Sequence, residues 1–114
     1  MDKEQYFQSP RIWGAHFWFM IYSVIAAYNP EDEVERDGLE MFMVSLATLL
    51  PCLVCRQHYL DYLSTHEMTI HDKTSMWKWV YHLQREIDER NGKTVLPQYE
   101  DWLKHVMTDT LKLF

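Results

Sequence analysis

The sequence is poor in glycine and proline, with 3 Gly and 4 Pro among 114 residues. A many-stranded sandwich or barrel depends on these residue types for its turns, so their scarcity argues against such a fold. The length suits one domain and excludes an enzyme with separate cofactor and substrate domains. Hydrophobic residues make up 47% of the chain, which is enough for a packed interior. We therefore expect a single, mainly helical domain over residues 1–114, with residues 1–9 flexible.

Positive charge is also scarce, since 11 Lys and Arg stand against 17 Asp and Glu, for a net charge of −6. A domain that binds nucleic acid gains affinity by neutralising phosphates, so we expect no nucleic-acid partner. Two cysteines are too few for a disulfide-rich scaffold or for a four-cysteine zinc or iron–sulfur site. They stand as Cys52-Leu53-Val54-Cys55, and this spacing is the main chemical signal in the chain.

The longest run without a full charge covers residues 12–28 and is a poor candidate for a membrane span. A spanning helix needs about 20 apolar residues, whereas this shorter run carries Gly14, His16 and Ser23. A signal peptide has a cationic start, but the charges of residues 2–4 nearly cancel. We therefore expect a buried helix here, no membrane partner and a cytoplasmic protein in a reducing compartment.

Helical periodicity runs through the chain in five segments that are separated by proline, glycine and polar residues. The segments cover residues 10–28, 31–50, 52–63 and 72–90, and a shorter helix follows Pro97. Apolar stripes recur at three- and four-residue steps in the second, fourth and fifth segments. The stripes are Leu39, Phe42, Met43, Leu46, Leu49 and Leu50; Met76, Trp79, Val80, Leu83 and Ile87; and Trp102, Val106, Thr110 and Leu113. The pattern predicts an all-α protein, a four-helix bundle with an additional short C-terminal helix.

Pro51 interrupts the chain just before the cysteines, which places both thiols in the first turn of the next helix. Unsatisfied backbone N–H groups at a helix start favour the thiolate form and lower the pKa of a thiol. In such motifs the first cysteine usually meets the incoming thiol while the second lies toward the interior. We therefore assign exchange with substrate to Cys52 and internal transfer to Cys55. Arg56 and His58 follow closely and would add positive charge or hydrogen bonds.

Three interpretations of the cysteine pair stay open on the residues alone. The cysteines are small core residues, or they bind zinc with His58 and a further histidine, or they form a redox dithiol. The second ligand pair that a zinc site needs is missing from the sequence. A redox dithiol in a helical bundle needs an electron acceptor, and a bound flavin would suit the aromatic residues of the helices. These are Trp13, Phe17, Trp18, Tyr22, Tyr59, Trp77 and Trp79, although such residues also serve ordinary cores.

Two segments carry a more specific pattern. The first contains Gly14, Trp18, Tyr22, Ala26, Ala27 and Pro30, and the second is the run Pro51-Cys52-Leu53-Val54-Cys55-Arg56-Gln57-His58. Both resemble the flavin-linked sulfhydryl oxidases of the Erv/ALR family, especially the minimal forms of large DNA viruses. The first family pattern is Gly-x-x-x-Trp-x-x-x-His followed by Ala-Ala-x-x-Pro, so Tyr22 stands where the family has histidine. The second pattern is Pro-Cys-x-x-Cys-x-x-His, and the resemblance extends from residue 10 to residue 102.

The fourth helical segment departs further from the family. There the family has tryptophan, then His-Asn-x-x-Asn five residues later, and ends near Gly-Lys, which is present at residues 92–93. Counting from Trp77 places His82 at the family histidine, whereas counting from Trp79 keeps the apolar phase but places Gln84 there. Both registers stay open, and we prefer the one that starts from Trp79, with His82 still facing the adenine or ribose.

The resemblance implies a helical bundle that holds FAD non-covalently, with Cys55 beside the flavin. A substrate dithiol would reduce the Cys52–Cys55 disulfide, and the electrons would pass to FAD and then to oxygen, which gives hydrogen peroxide. The implied FAD-binding residues are Gly14, Trp18, Tyr22, His58, Trp79, His82 and Lys93, with no metal site. The alternative is a non-enzymatic helical module that binds a partner through its redox or zinc-binding cysteines.

The resemblance also implies partners. Longer relatives carry an additional shuttle cysteine pair and a structural disulfide, and this chain has neither. Substrate thiols would therefore reach Cys52 directly, and a small thioredoxin-like carrier is one source of them. Family members dimerise through their first two helices, so we expect a homodimer in which the apolar stripe of residues 39–50 offers a partner surface. A viral protein of this kind would act in the host cytoplasm or in the virion.

Overall fold

The computed structural model describes residues 2–94 and 98–111, and these residues form six helices. Helix α1 spans Lys3–Gln8, α2 Pro10–Ala27, α3 Glu33–Leu49, α4 Leu53–Thr65, α5 Lys73–Arg90 and α6 Tyr99–Leu111. The two described ranges contain no strand, so the all-α prediction is confirmed. Backbone contacts divide the chain into two compact units, one up to Met76 and the other from Trp77 onward. The proposed single domain over residues 1–114 stays a prediction.

The helix ends follow from capping residues that are visible in the sequence. Pro10 opens α2, and the Asp32 carboxylate accepts hydrogen bonds from two N–H groups in the first turn of α3. The Asp72 carboxylate accepts a hydrogen bond from the Ser75 N–H at 2.8 Å at the start of α5. At the other end of α5, Gly92 adopts a φ of 71°, which glycine reaches without steric cost. The predicted bounds of these helices are therefore confirmed to within a few residues.

Helix α1 lies in the segment for which we expected flexibility. The Asp2 carboxylate accepts a hydrogen bond from the Gln5 N–H at 3.0 Å and so caps the helix. The indole Nε1 of Trp13 donates to the Gln8 carbonyl at 3.0 Å, which ties the end of α1 to the first turn of α2. The structure thus has a helix that the sequence analysis did not predict, because it overlooked the capping role of Asp2. The flexibility of residues 1–9 stays a prediction.

Helices α3 and α4 pack against each other in the first unit. The buried Tyr59 of α4 donates its hydroxyl hydrogen bond to the main-chain carbonyl of Met43 in α3, at 2.6 Å. Leu39, Met43 and Leu50 of the predicted stripe are buried. Phe42 and Leu49 are exposed, so the prediction of one common stripe is wrong for these two side chains. They lie one position before Met43 and Leu50, which rotates them about 100° away from the buried line on a helix of 3.6 residues per turn.

Two polar contacts join the end of α2 to the segment that leads into α5, also within the first unit. The hydroxyl of Tyr28 donates to the carbonyl of Ile70 at 3.0 Å. The ammonium of Lys73 donates to the carbonyl of Ala26 at 2.8 Å, where the last turn of α2 leaves carbonyls without helical partners. These contacts fix where α2 ends relative to the start of α5.

The second unit is organised around aromatic rings of α5 and α6. Tyr81 and Trp102 have ring centroids 5.3 Å apart, and the Trp102 indole donates to the Gln84 side chain at 3.3 Å. The stripe of α5 is buried except for Ile87, which is half-buried. Trp102 and Val106 are buried as predicted, whereas the side chains predicted at positions 110 and 113 lie outside the described part of the chain.

Candidate active site

The two cysteines lie at the sharp corner between α3 and α4. Cys52 is the N-cap residue of α4, and its Sγ accepts a hydrogen bond from the Cys55 N–H at 3.3 Å. A sulfur atom therefore takes the place in which Ser, Thr, Asp or Asn oxygens usually cap a helix. Both cysteines are free thiols and both are half-buried, so neither is a sealed core residue. The prediction that both thiols stand at the helix start is confirmed.

The electrostatics of Cys55 differ from the expectation. Burial raises the pKa of the Cys55 thiol to about 12, and the hydrogen bond and negative charge of Cys52 add to this effect. Backbone hydrogen bonding at the helix start acts in the opposite direction but does not prevail. The prediction of a lowered thiol pKa is therefore wrong for Cys55, because burial disfavours its thiolate and the neighbouring sulfur of Cys52 adds to that effect. In the reduced pair, Cys55 keeps its proton at neutral pH.

Arg56 follows Cys55 directly, but its side chain is directed at the backbone. Its Nε donates a hydrogen bond to the carbonyl of Leu50, the C-cap residue of α3. Its main-chain N–H donates to the carbonyl of Cys52 at 3.0 Å. Arg56 therefore makes hydrogen bonds to the residues on both sides of Pro51. The sequence did not reveal this role, because the charge and hydrogen bonds of Arg56 were expected to act on the thiols.

Three of the predicted flavin contacts share one face of α2. Gly14, Trp18 and Tyr22 are spaced four residues apart, which aligns them along a helix. The rings of Trp18 and Tyr22 stack with an angle of 22° between their planes and 6.4 Å between centroids. Both side chains are half-buried, so part of each ring stays accessible. A Cβ atom placed on Gly14 would meet no atom within 4 Å, so the backbone there is open to an approaching group.

That the flat ring system of FAD packs on this face stays a prediction, and the residues present are compatible with it. Such a cofactor needs apolar, aromatic walls and close backbone approach, and the α2 face offers all of them. His58 lies on α4, one turn after Cys55, and is half-buried. Its role as a flavin contact stays a prediction.

The remaining predicted contacts belong to the second unit. Trp79 is buried, with 5% of its surface exposed, whereas His82 is exposed one turn later on α5. Lys93 is exposed just after α5, where its main-chain N–H donates to the carbonyl of Asp88 at 2.9 Å. Neither register of the family pattern on α5 is distinguished by these placements, so the three contacts stay predictions.

Two further findings concern the alternatives raised by the sequence. Within residues 2–94 and 98–111, no three His, Cys, Asp or Glu side chains come together as a metal site, which does not favour the zinc interpretation. No helix in the same ranges combines the length and the apolar content that a membrane crossing requires.

Comparison with known proteins places this site in context. A model of the Erv1/Alr family matches residues 15–107. An Invertebrate iridescent virus 3 protein, provisionally named an FAD-linked sulfhydryl oxidase, is 26% identical over 76% of this chain and 61% of its own length. An Acanthamoeba polyphaga mimivirus protein with a similarly provisional name is 29% identical over 77% of this chain and 64% of its own length.

A third relative covers more of its own length. The FAD-linked sulfhydryl oxidase of African swine fever virus is 19% identical over 88% of this chain and 87% of the viral protein. The chain thus spans less than two thirds of the first two relatives and most of the third. No solved structure gives a match. Because the family match runs through α2 to α6 and includes both cysteines, the chain belongs to the Erv1/Alr family.

Proposed function

We propose that the chain is an FAD-dependent thiol oxidase that forms disulfide bonds in a protein substrate and reduces oxygen to hydrogen peroxide. The observation that carries this proposal is the pair of half-buried thiols at the start of α4. Relatives that align with the chain are named FAD-linked sulfhydryl oxidases, which supports the same activity and cofactor. Balanced over one turnover, a dithiol and O₂ give a disulfide and H₂O₂.

The proposal gives the two cysteines different parts in the reaction. A substrate thiolate attacks Cys52 Sγ of the Cys52–Cys55 disulfide, which breaks the S–S bond and releases Cys55. A second substrate thiolate then attacks the substrate sulfur of the mixed disulfide and releases Cys52. The Cys55 N–H donates to Cys52 Sγ and offsets the negative charge that forms there. Bound FAD would supply the acceptor for the two electrons and their route to oxygen.

The proposal assigns seven residues to FAD. Trp18 and Tyr22 would pack on the ring system, and Gly14 would allow the ring to approach the backbone of α2. His58, Trp79, His82 and Lys93 are assigned to FAD on the family pattern, with His82 at the adenine or ribose. The cytoplasm of a host cell or the virion remains the proposed compartment.

A homodimer is also part of the proposal, and exposed side chains on α3 support it. Met41, Val44 and Leu49 are 70%, 49% and 67% exposed, although they are apolar. The predicted partner surface was the whole stripe of residues 39–50, but its Leu39 and Met43 are buried within the chain. The surface available to a second copy is therefore the outer side of α3. Light scattering during size-exclusion chromatography measures the mass of the particle in solution and so tests whether the chain forms a dimer.

The substrate is proposed to be a thiol-containing protein, such as a small thioredoxin-like carrier, that reaches Cys52 directly. Leu53 and Val54 support direct access, since both are exposed in the turn that carries the thiols. The exposure of these two side chains supports a path for an incoming sulfur.

One experiment tests the proposed function as a whole. The purified protein is expected to be yellow with a flavin absorption band, and to consume oxygen and release hydrogen peroxide when a small dithiol is added. A matched C52S, C55S double variant should keep the colour and lose the oxygen uptake. Colourless protein that takes up no FAD would reject the proposal, and stoichiometric zinc in that material would support the interaction module instead.

A further inference from the structure

Two helix starts in the first unit share one arrangement. In α3 the N-cap Asp32 accepts from the N–H of the third helical residue, and in α4 the N-cap Cys52 does the same. In both helices the fourth residue is an arginine, whose main-chain N–H donates to the N-cap carbonyl at 3.0 Å. The side chains of these arginines, Arg36 and Arg56, donate to the carbonyls of Pro30 and Leu50, which lie two residues before each N-cap.

The arrangement has a structural effect that is common to both corners. The arginine closes a loop over the three residues that precede its helix, and it satisfies a carbonyl near the corner between two helices. Both guanidinium groups are partly buried, which strengthens the bond relative to one in open solvent. At the α3 corner the residue held in place is an ordinary cap, Asp32. At the α4 corner it is the reactive Cys52.

We infer that Arg56 is a positioning residue, which holds the corner from Leu50 to Cys52 so that the Cys52 sulfur is kept within reach of Cys55. This inference rests on the proposed function, since it concerns how readily the Cys52–Cys55 disulfide forms. A disulfide forms only over a narrow range of Cα separations and dihedral angles. A corner that moves freely spends less time in that range, and the two thiols then have a lower effective concentration.

The test reaction is balanced between the cysteine pair and glutathione. The Cys52, Cys55 dithiol and one oxidised glutathione give the intramolecular disulfide and two reduced glutathione molecules. Two protein S–H bonds are lost, one S–S bond forms in the protein, and the electron pair and both protons go to glutathione. The equilibrium constant of this exchange measures the effective concentration of the two thiols.

The experiment compares the flavin-loaded wild-type chain with R56A, R56K and the matched control R36A. Each protein is equilibrated with glutathione buffers in the absence of oxygen, quenched with acid, alkylated and weighed by mass spectrometry. R56A should lower the equilibrium constant by about three- to tenfold, the effect expected for one lost hydrogen bond. R56K retains one donor and should lie between R56A and wild type. R36A removes an equivalent bond from the other corner and should leave the constant unchanged.

Thermal unfolding and salt separate positioning from other effects. R56A and R36A should lose similar thermal stability, so a shift confined to R56A does not come from general destabilisation. The shift should persist at high salt, because screening weakens an effect of the guanidinium charge but leaves the corner geometry unchanged. If R56A does not fold, R56Q is measured in the same way and should show a shift of the same sign.

Three outcomes overturn the inference. If the equilibrium constant of R56A or R56Q equals that of wild type, Arg56 does not position Cys52. If R36A shifts the equilibrium constant as much as R56A does, the effect comes from lost stability. If high salt abolishes the shift in R56A, the effect comes from the guanidinium charge. The proposed function fails separately, when wild-type protein binds no FAD or consumes no oxygen with a dithiol, and the glutathione equilibrium can still be measured in that protein.

Discussion

Substituting Gly14 with alanine should raise the stability of the chain and weaken its affinity for FAD. Glycine in a helix interior is less stable than alanine by roughly 0.5–1 kcal/mol, since glycine loses more backbone freedom on folding. A Cβ on Gly14 would meet no atom within 4 Å, so the added methyl group finds room and causes no clash in the protein. The free energy of unfolding should therefore rise by about 0.5–1 kcal/mol, and about 1 kcal/mol corresponds to a few degrees in Tm.

The same methyl group should interfere with the cofactor. Gly14 lies on the face of α2 that carries Trp18 and Tyr22, where we propose that the flat ring approaches the backbone. Overpacking by one methyl group costs about 1–3 kcal/mol, which corresponds to roughly a 5- to 150-fold loss of affinity. The dissociation constant is measured by the quenching of flavin fluorescence on titration, and Tm of the flavin-free protein by circular dichroism.

Gly38 supplies the matched control. It is a second helix-interior glycine, in α3, and a Cβ there also meets no atom within 4 Å. G38A should give a similar gain in Tm with an unchanged dissociation constant for FAD. Equal FAD affinity in G14A and G38A would show that the α2 face does not hold the cofactor, and a loss of stability in G14A would show that the space beside it is filled.

Three other predictions concern the sulfurs and the packing of α4. C55S should keep FAD bound and stop dithiol-driven oxygen uptake, measured with an oxygen electrode, and full turnover would exclude Cys55 from electron transfer. C52S should lower the pKa of Cys55 from about 12, because the hydrogen bond and charge of Cys52 are lost, but leave it above 9.0, because burial remains. Ultraviolet thiolate absorbance against pH measures this, and an unchanged midpoint would contradict the coupling. Y59F should lower the free energy of unfolding by about 1 kcal/mol through loss of the hydrogen bond to the Met43 carbonyl, with FAD retained. Denaturant unfolding measures this, and an unchanged free energy would show that the bond has no net effect on stability.

The raised pKa of Cys55 also sets the sign of a pH dependence. A group whose pKa is higher in the folded than in the unfolded chain stabilises the fold below the unfolded value and loses that contribution as pH rises toward the folded value. For reduced wild-type protein the loss falls between pH 9.0 and about pH 12. C55S lacks the thiol and should lose less stability than wild type over this window.

Much of the fold could be predicted because its helix ends carry local signals. Pro10, Asp32, Asp72 and Gly92 each act through their own backbone or the first turn beside them, so no tertiary information is needed to recognise them. Asp2 acts in the same local way, and α1 was missed only because the polar segment had no apolar stripe to suggest a helix. The spacing of the cysteines after Pro51 is equally local.

What the sequence could not supply are the properties that depend on a second element. The exposure of Phe42 and Leu49 follows from how α3 packs against α4. The periodicity alone does not identify the buried face, because more than one face of an apolar helix carries residues at three- and four-residue steps. The bond from Arg56 to Leu50 requires the corner to be known. The pKa of Cys55 depends on burial and on the sulfur next to it, which outweigh the backbone N–H groups at the helix start.

The two neighbouring thiols therefore have different surroundings because of their places at the helix start. Cys52 stands at the N-cap, where its sulfur accepts a backbone hydrogen bond and lies beside exposed Leu53. Cys55 donates that bond through its own N–H, while its thiol is penalised by burial and by Cys52. A negative charge on the reduced pair is thus disfavoured at Cys55 as long as Cys52 carries one. In the proposed reaction electrons leave through Cys55, so the thiol that has to give up its proton is the one whose charged form burial disfavours.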